Sequence, residues 1–162
     1  MRLNLGCGTA LKDGYLNIDC RAIPGALIGD ATSFDFIPPG TVDEILAEHV
    51  LEHICPTKTV TVLSFWRSLL KPSGKLVLKV PDLERCLEAF LARSHRERYA
   101  YPGLIRYIYG RPWYEGGTHL TGFTAERLFD VLGDAMFREI EVDKGTWKGV
   151  PELVATAWFR QS

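Results

Sequence analysis

Apolar residues along this chain fall into short blocks of strand length, at residues 3–5, 15–18, 26–28, 42–46 and 76–80. Each block ends near Gly, Asp or Glu, the pattern of strands buried on both faces that feed polar loops. Between the fourth and fifth blocks, Val60, Leu63, Trp66 and Leu70 recur at spacings of three and four. That spacing predicts a helix begun near Pro56 and stopped by Lys71-Pro72-Ser73-Gly74. A second helix is predicted from Asp82 to about Arg93. A third opens at Thr124, an N-cap with Glu126 in its first turn, and carries Leu128, Phe129, Val131 and Leu132. Two closing strands, at residues 138–142 and 153–159, are joined by residues 143–149, too short a connection for a crossover helix, so the pair must be antiparallel.

The elements add up to an α/β fold: a Rossmann-like, doubly wound, mostly parallel sheet with a C-terminal antiparallel hairpin. At 162 residues and 46% hydrophobic content, the chain is expected to be a single domain spanning residues 1–162. Residues 94–121 read as an irregular insert dense in Arg and aromatic residues: Arg96, Arg98, Tyr99, Tyr101, Arg106, Tyr107, Tyr109, Arg111, Trp113 and Tyr114. An insert of this length in a compact domain is more often functional than idle, so it is expected to cap a site.

Composition narrows the function classes. Lys and Arg total 19 against 20 Asp and Glu, a formal charge of -1 that lacks the basic excess of a general nucleic-acid or acidic-lipid binder. Cys7, Cys20, Cys55 and Cys86 are scattered without a C-x-x-C pair. That pattern argues against a zinc ribbon, a redox dithiol or a secreted disulfide framework, and for reduced thiols in cytoplasm. No run of about 18 uncharged apolar residues occurs and no basic leader opens the chain, so the protein is expected to be soluble and unprocessed, with no membrane span.

The chemistry concentrates near the N-terminus. Leu5-Gly6-Cys7-Gly8 follows a buried strand, and Asn17-Ile18-Asp19 ends the next. Such a glycine loop with a strand-end carboxylate lets backbone approach a nucleoside while an acid accepts from its ribose. Taken alone, two glycines mark a plain turn and a strand-end Asp a cap. In order, however, Leu5-Gly6-Cys7-Gly8-Thr9, Asn17-Ile18-Asp19, Gly29-Asp30-Ala31, Ala47-Glu48-His49-Val50-Leu51-Glu52-His53, Leu70-Lys71-Pro72-Ser73-Gly74-Lys75-Leu76 and Phe123-Thr124 through Phe137 span nearly the whole chain. In this respect the chain resembles the class I S-adenosylmethionine-dependent methyltransferases, and more narrowly the small methyltransferases associated with glycan and polysaccharide functions.

The resemblance implies S-adenosylmethionine as cofactor and S-adenosylhomocysteine as product. It implies a cofactor site drawn from Asn4, Gly6, Cys7, Gly8, Asp19, Asp30, Ala31, Glu48 and His49. Gly6 and Gly8 would lie against the methionine part, Asp19 would accept from both ribose hydroxyls, Asp30 from the adenine amino group, and the Ala31 amide would face the ring. Two positions depart from the family pattern: Ala10 replaces the third loop glycine, and Asn4 replaces an acid before the loop. Gly8 and Asp19 are also too close for a full helix, so a shortened helix or loop must bridge these strands.

Methyl transfer from a sulfonium needs an aligned acceptor and a route for its proton. The candidate catalytic residues are His119, then His49, with Asp82 third; Asp82, following Pro81, reads equally as a helix cap. The acceptor is expected to be a small molecule or a glycan oxygen, the cap's aromatic and guanidinium groups suiting a ring that bears a negative group. Three other readings compete: a cofactor-binding module without catalysis, a nucleic-acid methyltransferase, and a zinc hydrolase. The last rests on His49-Val50-Leu51-Glu52-His53, which matches H-x-x-E-H. No third ligand is evident in a downstream helix, so no metal site is expected.

Overall fold

A computed structural model of the chain describes residues 1–100, 102–113 and 116–160. The described residues form seven strands and five α-helices. The strands are β1 (Arg2–Leu5), β2 (Leu16–Asp19), β3 (Leu27–Ile28), β4 (Val42–Glu48), β5 (Leu70–Pro81), β6 (Arg138–Trp147) and β7 (Val150–Trp158). The helices are α1 (Thr59–Leu69), α2 (Leu83–Leu91), α3 (His95–Ala100), α4 (Pro102–Tyr109) and α5 (Ala125–Asp134). They build one sheet in the order β3-β2-β1-β4-β5-β7-β6. The first five strands of that order run parallel, while β7 pairs antiparallel with both β5 and β6. This is the mostly parallel α/β sheet with a C-terminal hairpin that the apolar pattern predicts.

Central strands of such a sheet are covered on both faces, hence their unbroken apolar runs. Leu3, Leu5, Ile45, Ala47, Leu76, Leu78, Val80, Leu153 and Ala155 are all fully buried. Leu63 and Trp66 of α1 and Leu128 and Leu132 of α5 join the same core. The Trp66 indole places its N–H 2.7 Å from the carbonyl of Ala31, so a large apolar side chain is buried without orphaning its donor. Asp82 caps α2 by accepting from the Arg85 amide at 3.1 Å, and Thr124 caps α5 by accepting from the Arg127 amide at 3.3 Å.

Three elements differ from the sequence expectation. β5 begins at Leu70, ahead of the predicted block, because Lys71 to Gly74 form an irregular entry: Ser73 takes a φ of 73°, and the pairing register shifts between Val42 and Glu44 of β4. Residues 143–149 are not a loop. β6 continues to Trp147, and the turn is Lys148-Gly149, both left-handed with φ of 50° and 79°, as a tight hairpin matching strand twist requires. Residues 94–121 are not structureless, since α3 and α4 lie within them. Tyr101 and Tyr114, and the side chain of Tyr99, lie outside what is described. Residues 6–15, by contrast, form only turns, so a loop replaces the first crossover helix as the short spacing demands.

Strand order reverses between β1 and β4, the switch point at which loops leave in opposite directions and open a crevice at the carboxyl ends of the strands. The glycine loop leaves β1 there, and Glu48 to His53 leave β4.

Candidate functional site

The glycine loop is shaped by steric necessity. Gly6 and Gly8 both hold left-handed backbone, with φ of 61° and 49°. A Cβ on Gly6 would stand 2.4 Å from Val50 Cγ2. The amide of Cys7, a buried residue, donates to Ile18 at 3.1 Å, and its carbonyl accepts from Ala10 at 2.9 Å. Asn4 is buried, and its Nδ2 donates to the Ala10 carbonyl at 3.1 Å and to Asn17 Oδ1 at 2.8 Å. Asn17 in turn accepts from the Lys12 amide and donates to the carbonyls of Lys12 and Tyr15. Two side-chain amides thus hold the bridge between β1 and β2 that a helix would otherwise supply. Only an amide, with donors and an acceptor on one head, can make this set of bonds; an acid at position 4 could not.

Asp19 is 3% exposed at the end of β2. Its carboxylate accepts from the Gly8 amide at 2.7 Å, from the Arg21 amide at 3.0 Å, and from Arg21 Nε and Nη2 at 2.9 and 3.3 Å. Burial opposes ionisation, but these hydrogen bonds from Arg21 and Gly8 prevail and lower its pKa below the ordinary carboxylate value. Asp30, past the end of the adjacent β3, accepts from the Thr32 amide and hydroxyl, both at 2.8 Å. Gly29 links the two acids by donating to the Asp19 carbonyl at 2.9 Å.

A cavity of about 430 Å³ opens beside this loop. Asn4, Gly6, Cys7, Ala10, Glu48 and His49 form its wall on the loop side, and Arg106, Tyr107, Gly110, Arg111, Gly117 and His119 come from residues 94–121. Gly8, Asp19, Asp30 and Ala31 are not among the lining residues. Gly8 is in the loop itself, with its amide on the Asp19 carboxylate, and Asp19, Asp30 and Ala31 lie at or past the ends of β2 and β3, so only part of the sequence-derived set lines the cavity.

Glu48, the last residue of β4, is clamped by Lys79 Nζ at 2.5 Å and Lys12 Nζ at 3.0 Å. Burial pulls its pKa up, yet the two ammonium groups win and hold it below the usual value. His49 has a φ of 56°, a strained backbone for a residue with a side chain. Its Nδ1 lies 3.3 Å from Glu52 Oε1, its Nε2 faces Glu152 Oε2 at 3.5 Å, and its ring centroid sits 5.2 Å from that of Trp147. Burial disfavours the imidazolium, but Glu52, Glu152 and Glu48 together overcome it and raise the pKa.

His119 reaches the same place from the far end of the insert. Its Nδ1 is 3.0 Å from the Tyr107 carbonyl and its Nε2 is 3.9 Å from Glu52 Oε1. Because a carbonyl only accepts, Nδ1 carries the proton and Nε2 the lone pair. Burial lowers its pKa against the pull of Glu52, so the ring is neutral at pH 7. Asp82 is the candidate the fold removes from the site: its carboxylate caps α2 and lies 3.6 Å from Arg85 Nη1, and it does not line the cavity.

Sequence reasoning missed Trp147 and Glu152 as site residues, and it named Tyr107 only among the cap's aromatic residues and Glu52 only within the H-x-x-E-H pattern. Glu52 is 1% exposed and Glu152 5%. The signal for Trp147 was available in Lys148-Gly149, a pair suited to a two-residue hairpin turn, which would have extended β6 over the site. The H-x-x-E-H pattern is not realised as a helical face, since His49 precedes a short 3-10 turn at Leu51–His53 and bears positive φ.

No family model and no curated protein matches the chain. Solved structures do. A SAM-dependent methyltransferase from Archaeoglobus fulgidus is similar with a TM-score of 0.70 at 16% identity, over 98% of this chain and 85% of that one. Another, from Methanosarcina mazei, gives 0.69 at 19% identity, over 99% and 92%. The 1,6-didemethyltoxoflavin-N1-methyltransferase of Burkholderia thailandensis, solved with bound 1,6-didemethyltoxoflavin and S-adenosylhomocysteine, gives 0.68 at 16% identity, over 99% and 71%. The fold of this chain is the class I methyltransferase fold. None of the described helices is long and apolar enough to cross a membrane.

Proposed function

We propose that this chain is a cytoplasmic S-adenosylmethionine-dependent methyltransferase acting on an oxygen of a small molecule or glycan, with residues 94–121 as the acceptor-side cap. The observation that carries the reading is the placement of one cavity at the switch point, between a glycine loop on one wall and a Glu52–His119 pair on the other.

The residues fit the cofactor. Val50 leaves no room for a Cβ on Gly6, so this residue lines the cavity with main chain alone, where the methionine part would lie. Asp19 and Asp30, linked through Gly29, offer acceptors at the ends of adjacent strands for ribose hydroxyls and an exocyclic amine. When bound, the cofactor supplies a methyl group activated on a sulfonium. The protein itself must exclude water, align the acceptor and receive its proton. His119 is suited to receive that proton, because it lines the cavity, Tyr107 sets its tautomer, and Glu52 Oε1, 3.9 Å from the neutral Nε2, favours the imidazolium once formed. Trp147 and Tyr107, with ring centroids 6.3 Å apart, offer apolar faces to a ring-bearing acceptor.

The test pairs calorimetric titration of S-adenosylhomocysteine with a methyl-transfer assay over phenolic, sugar and amine acceptors. The proposal expects stoichiometric binding and transfer to a hydroxyl. Failure to bind would remove the methyltransferase reading, and binding without turnover on any class would leave a cofactor-binding module.

A further inference from the structure

We infer that Glu52, His53 and His119 form a divalent transition-metal site whose open positions face the cavity and take the acceptor. One ligand atom from each residue lies within 4.8 Å of the others, two imidazole nitrogens and a carboxylate oxygen. All three residues line the cavity.

Two observations separate this group from a chance cluster. The first is the orientation of both rings. His53 Nδ1 lies 3.0 Å from the Thr118 carbonyl, and His119 Nδ1 lies 3.0 Å from the Tyr107 carbonyl. Each Nδ1 must therefore donate, which places the lone pair of either neutral ring on Nε2 and holds both rings in orientation. A ring N–H donated to a backbone carbonyl is the outer-shell arrangement that holds metal-binding imidazoles in place. The second is Glu52. It is 1% exposed, and its Oε2 is buried without a hydrogen-bond partner among the described residues. An orphaned carboxylate oxygen in such a position costs desolvation that a cation would return. His49 Nδ1, 3.3 Å from Glu52 Oε1, orients the carboxylate as a positioning residue.

Two imidazoles and one carboxylate suit zinc and its divalent neighbours, and three protein ligands leave positions open for an external donor. Bonds of about 2.0–2.1 Å would draw the three atoms inward by roughly 1 Å, within reach of side-chain rotation. The role of the ion rests on the methyl-transfer reading, although the site itself does not. An acceptor with adjacent oxygen donors would chelate the ion. Its hydroxyl would release its proton to solvent rather than to His119, whose lone pair then serves as ligand. The new C–O bond forms as the donor's C–S bond breaks, the electron pair remaining on sulfur.

The experiment is titration of the chelator-treated full chain with Co²⁺, read by visible ligand-field absorption, and with Zn²⁺ by calorimetry, each in the absence of cofactor. We expect one ion per chain with Kd below about 10 µM. His53→Gln and His119→Gln should each weaken binding by more than 100-fold and alter the cobalt spectrum, and His49→Gln should weaken it by about 10- to 100-fold. Circular dichroism checks each variant. If His119→Gln fails to fold, the more accessible His53→Gln decides. Absence of a saturable cobalt signal in the wild-type chain, or an unchanged spectrum in a folded His53→Gln, would overturn the site. Metal binding without S-adenosylhomocysteine binding would sink only the methyltransferase reading, and the converse only this one.

Discussion

Asp19→Ala tests the cofactor side most directly, because the structure fixes both what is lost and what competes. The carboxylate already accepts from Gly8, from the Arg21 amide and from the Arg21 guanidinium. The Gly8 amide ties it to the loop, whereas the Arg21 side chain, 54% exposed, takes up acceptor capacity of the carboxylate for which ribose hydroxyls would compete. The pair is exposed on its Arg21 side only, and its charge-assisted hydrogen bonds contribute about 1.5–3 kcal/mol, which ribose hydroxyls would have to replace. Removing the carboxylate leaves those hydroxyls and the Gly8 amide without an acceptor, a loss of about 1–3 kcal/mol, or roughly 5- to 150-fold in affinity. Arg21→Ala should move the other way, leaving affinity unchanged or raising it by up to about fivefold. Isothermal titration of S-adenosylhomocysteine into both variants reads the two signs. Undiminished affinity in Asp19→Ala, or a large loss in Arg21→Ala, would refute the ribose assignment.

His119→Ala should lower turnover by about 10²- to 10⁴-fold while leaving S-adenosylhomocysteine affinity within about twofold, and normal turnover would exclude it from the chemistry. Gly6→Ala should destabilise the chain by about 2–4 kcal/mol, combining left-handed strain with the Val50 contact; Val50→Ala in the same chain should recover the contact part, measured by urea unfolding. The lowered pKa of Asp19 adds stability above its unfolded pKa, about 3.9, that is lost as pH falls through the folded value, so Asp19→Asn should flatten the acid limb of a stability–pH curve. Burial pushes the Cys86 thiol up to about 11, whereas Cys20 is exposed and Thr57 lowers the pKa of Cys55. Iodoacetamide at pH 8 should therefore label Cys20 and Cys55 first, and early modification of Cys86 would contradict its burial.

What could be read from the chain alone is whatever depends on neighbours in sequence. The apolar runs of β1, β4 and β5 need only two covered faces to be strands, and Asp82 and Thr124 cap helices through amides three residues on. The glycine loop and the acid ending β2 are likewise local. α4 escaped notice because arginines and tyrosines masked its spacing, although Leu104, Ile105 and Ile108 behind Pro102 carry the helical period.

The acceptor side could not be read in this way, since no local rule brings Glu52 of the β4 exit beside His119 of the insert, or His49 beside Trp147 of the hairpin tip and Glu152 of β7. Those meetings follow from strand order and from the antiparallel return of β7 on β5, which only the folded sheet decides. Burial then changed the chemistry of the residues it gathered. It left His119 neutral, surrounded His49 with acids, and stranded an oxygen of Glu52 without a partner among the described residues. A residue's identity specifies which protons and lone pairs it can offer; the dielectric and the partners that decide their use exist only once distant segments have packed.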